Sequence, residues 1–135
     1  MWKVSSIKFF FELGEALQWR PKVALLTGPA SLHVEQGLVM ARAGVHLFIE
    51  KPLSDRLDRV DELIDLCHVN NLVLMVGYNL RFYSPLQALK RKIGRIGRVV
   101  GVRAEVGQYL PDWRPGADYR QGVSARGELG GGAVL

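Results

Sequence analysis

Residues 44–52 read Gly44-Val45-His46-Leu47-Phe48-Ile49-Glu50-Lys51-Pro52, and this short apolar run between a glycine and a proline is typical of a buried strand in a parallel sheet. Ligands of open α/β sheets bind just beyond the carboxyl ends of such strands, so we expect Lys51 at a binding edge. Pro52 restricts Lys51 to extended backbone. Glu50 and Lys51 then point to opposite faces. Taken alone, the triplet is better explained as two solvated charges and a stop signal at a strand end, because lone short motifs often match by chance.

The pattern repeats on both sides of this run. Further apolar runs at residues 23–26 and 72–76 predict two more strands. Helical spacing lies between the strands, over residues 31–43 with Ser31 as the N-cap, and again after Ser54. Gly44 lies where a left-handed residue ends a helix. Strands that alternate with helices of this length predict parallel βαβ units with right-handed crossovers, and therefore an α/β fold.

The pattern is different outside this region. Residues 7–19 have apolar residues near helical spacing, and Ser84-Pro85 begins a helix that we expect to continue to Ile93. Residues 99–107 alternate with period two, which predicts a half-exposed strand. Residues 109–132 form a long, polar, glycine-rich segment, and loops of this length are usually functional or disordered.

Composition limits the class of protein. The chain has 135 residues, 48% of them hydrophobic and 23% charged, which is globular composition for one ordinary domain. Cys67 is the single cysteine, so a disulfide framework within one chain is excluded and a reducing compartment is favoured. Glu12 and Glu15 interrupt the aromatic cluster near the N-terminus, which is therefore no signal peptide. No apolar stretch has the length of a membrane span. We predict a cytoplasmic protein without a membrane partner.

The net charge of +5 raises the question of nucleic-acid binding. The basic residues cluster loosely over residues 90–103, and no helix-turn-helix, zinc-finger or RNA-binding signature accompanies them. Cations near the end of a helix suit its macrodipole. We therefore predict no nucleic-acid partner and no metal site, and an anionic small ligand as the better explanation of the charge.

Polar clusters follow all three predicted strands. They are Thr27 to His33, Glu50 to Pro52, and Gly77 to Phe82. Because parallel strands end at the same edge of a sheet, we expect Lys51, Asn79 and Arg81 to converge around one pocket. Helix N-termini at that edge would favour an anion. Each residue also has a simpler interpretation: His33 as a capping or core histidine, Asn79 as a turn residue and Arg81 as a surface charge.

These motifs in this order resemble the Gfo/Idh/MocA oxidoreductases, the relatives of glucose–fructose oxidoreductase and inositol dehydrogenase. The resemblance runs from about Pro21 to the end of the chain, and its matching segments are Thr27, Pro29, His33, Gly44 to Leu53, Gly77 to Phe82, Gly94-Arg95-Ile96-Gly97, Trp113-Arg114 and Gly130 to Gly132. It implies an oxidoreductase that uses NAD or NADP on a hydroxyl carbon of a sugar, cyclitol or nucleotide-sugar. It also implies a small-molecule sugar-like substrate and a homo-oligomer.

The resemblance assigns roles to residues around the triplet. Lys51 is the catalytic residue, near the nicotinamide and the reacting hydroxyl, where partial burial would lower its pKa toward neutrality and let it shuttle a proton. Thr27 and Pro29 line the ribose and pyrophosphate of the cofactor. Glu50 and Pro52 lie nearer the nicotinamide.

The remaining cofactor-binding residues come from other segments by the same resemblance. His33, Asn79 and Arg81 belong to the cofactor site and its rim. Trp113 and Arg114 reach back over the nicotinamide from a second domain. Arg114 is equally suited to bind a substrate carboxylate or phosphate. A core aromatic for Trp113 and a solvated charge for Arg114 are also open interpretations.

Two family features are missing from the sequence. It has no G-x-G-x-x-G turn, whose amides would hold the pyrophosphate, and no Asp and His motif after Gly132. We therefore predict the C-terminal half of a Rossmann-type parallel sheet followed by the start of an α+β substrate domain. Residues 1–80 would be a partial dinucleotide-binding domain without its first βαβ unit, and residues 81–135 the opening of the substrate and oligomerisation domain. We expect residues 1 to about 11 to lie outside the family pattern.

The missing unit has two expected consequences. The strand at residues 23–26 would have an unpaired apolar edge, so the chain would associate with itself or with a complementary fragment. Dinucleotide affinity would be weak. The alternative function is therefore a non-catalytic truncated fragment that keeps the fold signals.

Overall fold

Parallel strands and helices alternate in the computed structural model, which describes residues 7–107, 109–113, 115–129 and 131. The principal elements are α1 Leu13–Leu17, β1 Val23–Leu26, α2 Ala30–Arg42, β2 His46–Ile49, α3 Val60–Val69, β3 Leu74–Val76, α4 Ser84–Lys92 and α5 Leu110–Trp113. Short 3₁₀ helices cover Asn79–Phe82, Ile93–Ile96, Tyr119–Gln121, Val123–Ala125 and Gly127–Leu129. No helix in these described ranges is long and apolar enough to cross a bilayer.

The sheet has the predicted parallel topology. Its strand order in the described residues is β1-β2-β3, and the register pairs Leu26 with Ile49 and Ile49 with Val76. Each connection passes through a helix, as parallel strands require. Gly44 has φ +77°, which confirms the left-handed helix end that the sequence predicted between α2 and β2.

One face of the sheet carries the hydrophobic core. Leu47 and Ile49 point from β2 toward α2 and α3 and are almost fully buried, as are Leu38 of α2 and Leu63 of α3. A Cβ atom at Gly37 would lie 3.1 Å from Cδ2 of Leu63, so glycine permits the close approach of α2 to α3. The core therefore fixes α2 directly over the strand that leads to Lys51.

The opposite face of the sheet is apolar and open. Val23, Leu25 and Val73 are 54%, 66% and 60% exposed. Parallel sheets normally have both faces covered. β1 pairs only with β2 in the described part of the chain, so its other edge lacks a strand partner there.

Several predicted boundaries were wrong. Helix α2 begins after Pro29 rather than Ser31, and α3 begins only at Val60 because Arg59 has left-handed backbone at φ 58°. The helix expected over residues 7–19 is reduced to α1, which contains Gly14 near its start. The third strand begins at Leu74, two residues later than predicted.

The strand predicted over residues 99–107 was also wrong. The structure has no strand over these residues, which are all exposed. An alternating pattern forms a strand only when a neighbouring strand accepts its hydrogen bonds. Within this segment the side chains of Arg103 and Glu105 form an ion pair with each other.

Arg59 joins the two helices that cover the sheet. Its guanidinium donates to both oxygens of Glu35 on α2 at 2.7 Å and to Glu62 on α3 at 2.7 Å. Glu62 also pairs with Arg42 of α2 at 2.7 Å. The hydrogen bond from Arg59 is the largest cause of the lowered pKa of the Glu62 carboxyl. This network is solvent-exposed, so it contributes modestly to stability.

Arg59→Met is expected to lower Tm by about 1–3 °C at pH 7. A carboxyl with a lowered folded-state pKa contributes stability above its unfolded-state pKa and loses it as the pH falls through the folded value. The difference from wild type should therefore shrink as the pH falls below the usual Glu range. Thermal melts across pH measure this, with Arg56→Met as the control, since the ion pairs of Arg56 among the described residues are local, with Asp55 and Asp58 at 3.6 and 3.9 Å. Equal losses for both variants would contradict it.

Candidate functional site

The carboxyl ends of the three strands lie side by side. The amide of Glu50 donates to the carbonyl of Leu26 at 2.8 Å, and the amide of Gly77 donates to the carbonyl of Ile49 at 2.8 Å. The ladder thus continues one residue past β2 and one residue past β3. The segments that begin at Thr27, Glu50 and Gly77 leave the sheet at the same edge, as the sequence predicted.

The loop after β1 leads directly into α2. Thr27 and Gly28 are exposed, and Pro29 is half-buried with extended backbone just before the first turn of the helix. A Cβ atom at Gly28 would meet no heavy atom within 4 Å, so the space above this loop is open. Thr27 and Pro29 therefore lie at an accessible helix N-terminus, where the macrodipole favours an anion.

His33 lies beneath this edge rather than on it. Its residue exposure is only 1%, and its two ring nitrogens face two backbone carbonyls. Nδ1 is 2.9 Å from the oxygen of Pro52, and Nε2 is 2.9 Å from the oxygen of Gly28. Both nitrogens are therefore occupied by the protein itself. The core interpretation of His33 fits these contacts better than direct contact with a cofactor.

Glu50 connects the second strand end to the third. Its Oε2 accepts a hydrogen bond from the backbone amide of Lys51 at 2.8 Å. Its Oε1 would lie 3.3 Å from a Cβ atom at Gly77, so the glycine leaves room for the carboxylate. No ion pair between Glu50 and the ammonium of Lys51 occurs in the described ranges, in line with the predicted opposite orientation.

Lys51 is exposed, whereas Pro52 is half-buried. The partial burial that the resemblance implied for Lys51 is not provided by the part of the chain described here, and this is a correction. Desolvation of the ammonium would have to come from bound ligands or from other protein surface. The side chain of Lys51 is thus accessible, while its backbone is restrained by the contact of its amide with Glu50 and by the contact of the Pro52 carbonyl with His33.

Asn79 and Arg81 lie on the 3₁₀ helix that follows β3, and both are exposed. Gln87 of α4 holds this turn by donating to the carbonyl of Arg81 at 3.1 Å. Arg81 and Lys90 line an open groove of about 590 Å³ together with Tyr78, Leu80, Leu86 and Gln87. Lys51 and Asn79 are not among the residues that line this groove, and the convergence of Lys51, Asn79 and Arg81 around one pocket stays a prediction.

The last two candidates lie at the margin of the described residues. Trp113 is the final residue of α5, and its side chain lies outside what the structure describes. Arg114 lies outside the described residues altogether. Their proximity to the sheet edge stays a prediction.

Sequence reasoning missed two contributions to this edge. The bridge from His33 to Gly28 and Pro52 could not be predicted. Its partners are backbone carbonyls, which every residue has, so residue types do not indicate which carbonyls lie near the imidazole. The contact of Gly77 with Glu50 had a faint signal, since a glycine directly after an apolar strand often marks a close approach.

A comparison of the sequence with family patterns decides the classification. The sequence pattern of the Gfo/Idh/MocA family, which is described as an oxidoreductase family with an NAD-binding Rossmann fold, matches residues 3–78. These are more than half of the 135 residues. The chain belongs to the Gfo/Idh/MocA oxidoreductase family. The match includes most of residues 1–11, so the expectation that they lie outside the family pattern was wrong.

Two known oxidoreductases resemble this chain over about three quarters of its length. Levoglucosan dehydrogenase from Pseudarthrobacter phenanthrenivorans is 32% identical over 111 residues, which are 76% of this chain and 27% of that protein. The 1,5-anhydro-D-fructose reductase from Ensifer adhaerens is 35% identical over 106 residues, which are 77% of this chain and 30% of that protein. The chain therefore spans less than a third of the length of either relative.

A solved dehydrogenase structure has the same fold over the region that superposes. The WlbA dehydrogenase from Bordetella pertussis, in complex with NADH and UDP-GlcNAcA, superposes with a TM-score of 0.62 at 30% identity. The superposition covers 66% of this chain and 27% of the WlbA chain. Together with the parallel sheet, it confirms the predicted α/β, Rossmann-type fold. The division into domains at residue 80 stays a prediction.

Proposed function

We propose that this chain provides the lysine-bearing edge of an NAD(P)-dependent oxidoreductase that acts on a hydroxyl carbon of a sugar, cyclitol or nucleotide-sugar. The observation that carries the proposal is the position of Lys51, one residue past the ladder of the central strand, with an exposed side chain and a restrained backbone. The family supports the chemistry. The substrate class is supported by the relatives, whose names specify levoglucosan and anhydrofructose.

The described edge fits one half of a dinucleotide. It offers open space above Gly28, the N-terminus of α2 and the ammonium of Lys51. A glycine-rich turn for the pyrophosphate is absent from the sequence. The residues therefore suit the nicotinamide half, and the coenzyme would supply the hydride acceptor or donor.

Lys51 would move the proton of the reacting hydroxyl. When the hydroxyl carbon is oxidised, its O–H proton must leave, and an amine within hydrogen-bond reach can accept it. In the reverse direction the ammonium returns this proton to the oxygen. The restrained backbone at Glu50 and Pro52 limits the positions that the amine samples, which favours a productive geometry.

The other proposed binding residues surround this group. Thr27 and Pro29 would contact the phosphate and ribose from the α2 side. Asn79 and Arg81 would form the opposite rim, where the guanidinium and Lys90 attract an anion such as a nucleotide-sugar phosphate. Trp113 and Arg114 remain in the proposal as groups that cover the nicotinamide.

A second candidate is a non-catalytic protein that keeps the fold. It is favoured by the missing G-x-G-x-x-G turn, because the amides of that turn hold the pyrophosphate in this kind of fold. The two candidates differ in turnover and not in architecture. Because this chain lacks the turn, NADH binding is expected to be weak for either candidate, and turnover is the property that separates them.

The experiment that separates them is a coenzyme assay on the purified protein. NAD and NADP are each supplied with levoglucosan, myo-inositol, D-xylose and a UDP-sugar, and formation of the reduced nicotinamide is followed by absorbance. NADH binding is titrated in parallel by fluorescence. Turnover with any of these substrates supports the oxidoreductase. Absence of turnover together with weak NADH binding favours the non-catalytic candidate.

Partners and location complete the proposal. We propose a homo-oligomer, since the open apolar face of the sheet with Val23, Leu25 and Val73 requires cover. A small-molecule substrate is the proposed ligand, without nucleic acid or membrane. The buried free thiol of Cys67 is consistent with a cytoplasmic location.

A further inference from the structure

We propose that His33 is a positioning residue for Lys51, through a bridge between the loops that follow β1 and β2. The inference rests on the proposed function, because it assigns His33 to the group that would move the proton. It differs from cofactor binding, since both ring nitrogens face the protein. The bridge has one contact on each side of the ring, to Gly28 and to Pro52.

The ring itself is held firmly. His33 lies in the first turns of α2 and is 1% exposed, and the neighbouring Ala30 and Val34 are 5% exposed. The rest of α2 packs on the sheet through Leu38, which is completely buried. The imidazole therefore projects from a fixed helix toward two loops that have less packing of their own.

The bridge ends one residue beyond Lys51. Nδ1 of His33 lies 2.9 Å from the carbonyl oxygen of Pro52, and Oε2 of Glu50 accepts a hydrogen bond from the amide of Lys51 at 2.8 Å. The backbone is thereby restrained at the nitrogen of Lys51 and at the carbonyl of the next residue. What remains free is the side chain of the lysine, which then samples a limited volume above the edge.

The two contacts also limit which side chain can replace His33. Both partners are carbonyl oxygens, so each needs an N–H donor. A neutral imidazole donates at one nitrogen, and an imidazolium donates at both. Glutamine carries its two donors on a single nitrogen, so it can retain one arm of the bridge but not both. Phenylalanine fills the same space and removes both.

The test compares His33→Phe and His33→Gln with the control His68→Phe, because His68 is an exposed residue on α3. Amide hydrogen exchange at Lys51 is expected to accelerate about tenfold or more in His33→Phe, less in His33→Gln and not in the control. If the protein turns over, kcat should fall about 10- to 100-fold in His33→Phe while the KM for the coenzyme changes less. His33→Gln should recover part of kcat.

Wild-type protein provides a measurement that needs no variant. In protein labelled with ¹⁵N-histidine, at least one ring N–H of His33 should be protected from exchange with water, whereas those of His68 should exchange freely. A freely exchanging His33 ring, or unchanged Lys51 exchange in a folded His33→Phe variant, would overturn the proposal. Faster exchange of the Lys51 amide in His33→Phe, in a protein whose wild type shows no turnover, would support the bridge and contradict the oxidoreductase instead.

Discussion

Replacement of Lys51 by methionine is expected to lower kcat about 10²- to 10⁴-fold in the proposed oxidoreductase, the range that a positioned general acid or base contributes. Methionine keeps a long apolar stem and removes the amine. The backbone contacts of this residue involve its amide and the adjacent Pro52, so the loop should keep its conformation. The loss should therefore appear in kcat, while NADH affinity changes less than about threefold.

Two further variants give this result a specific meaning. Lys51→Arg retains a cation that does not deprotonate in proteins, so it should remain impaired if the amine transfers a proton. Lys22→Met is the matched control, because Lys22 is exposed just before β1, at the far end of the sheet. Initial rates at saturating coenzyme and a fluorescence titration with NADH measure both parameters. A Lys51→Met variant within tenfold of wild type would remove Lys51 from the chemistry.

Leu63→Ala is expected to destabilise the fold by about 2–5 kcal/mol, the usual cost of a cavity at a fully buried leucine. Leu63 has no exposed surface, and its methyl groups lie against the space above Gly37 where α2 approaches α3. Small domains are stable by only about 5–15 kcal/mol, so this single change is a large fraction of the total. Urea unfolding followed by circular dichroism measures the difference.

The adjacent residue of the same helix provides the control. Ile64 is 45% exposed, so Ile64→Ala should cost less than about 1 kcal/mol. Both variants remove aliphatic carbon from neighbouring positions of α3, and they differ mainly in burial. Similar losses for the two would mean that Leu63 is not buried against α2 as described.

The central part of the fold could be predicted from the sequence because its signals are local. Buried parallel strands are short apolar runs, and the glycine at position 44 ends α2 with φ +77°, as the pattern indicated. The common edge of Thr27, Glu50 and Gly77 follows from parallel topology alone. Proximity of the three segments was therefore predictable before any coordinates.

The rest depended on contacts between distant residues. The late start of α3 follows from the left-handed Arg59, whose guanidinium reaches α2, and no local signal indicates this. Residues 99–107 have a strand pattern but no strand in the structure. The exposure of Lys51 and the burial of His33 are likewise tertiary properties that residue types do not fix.

The most direct test is a crystal structure of the protein with NADH and a substrate that it turns over. We expect the nicotinamide at the edge formed by Thr27, Glu50 and Gly77, with Nζ of Lys51 about 2.6–3.2 Å from the reacting oxygen. The contacts of His33 with Gly28 and Pro52 should be unchanged. A coenzyme bound elsewhere, with Lys51 in bulk solvent, would contradict the assignment of this edge as the catalytic site.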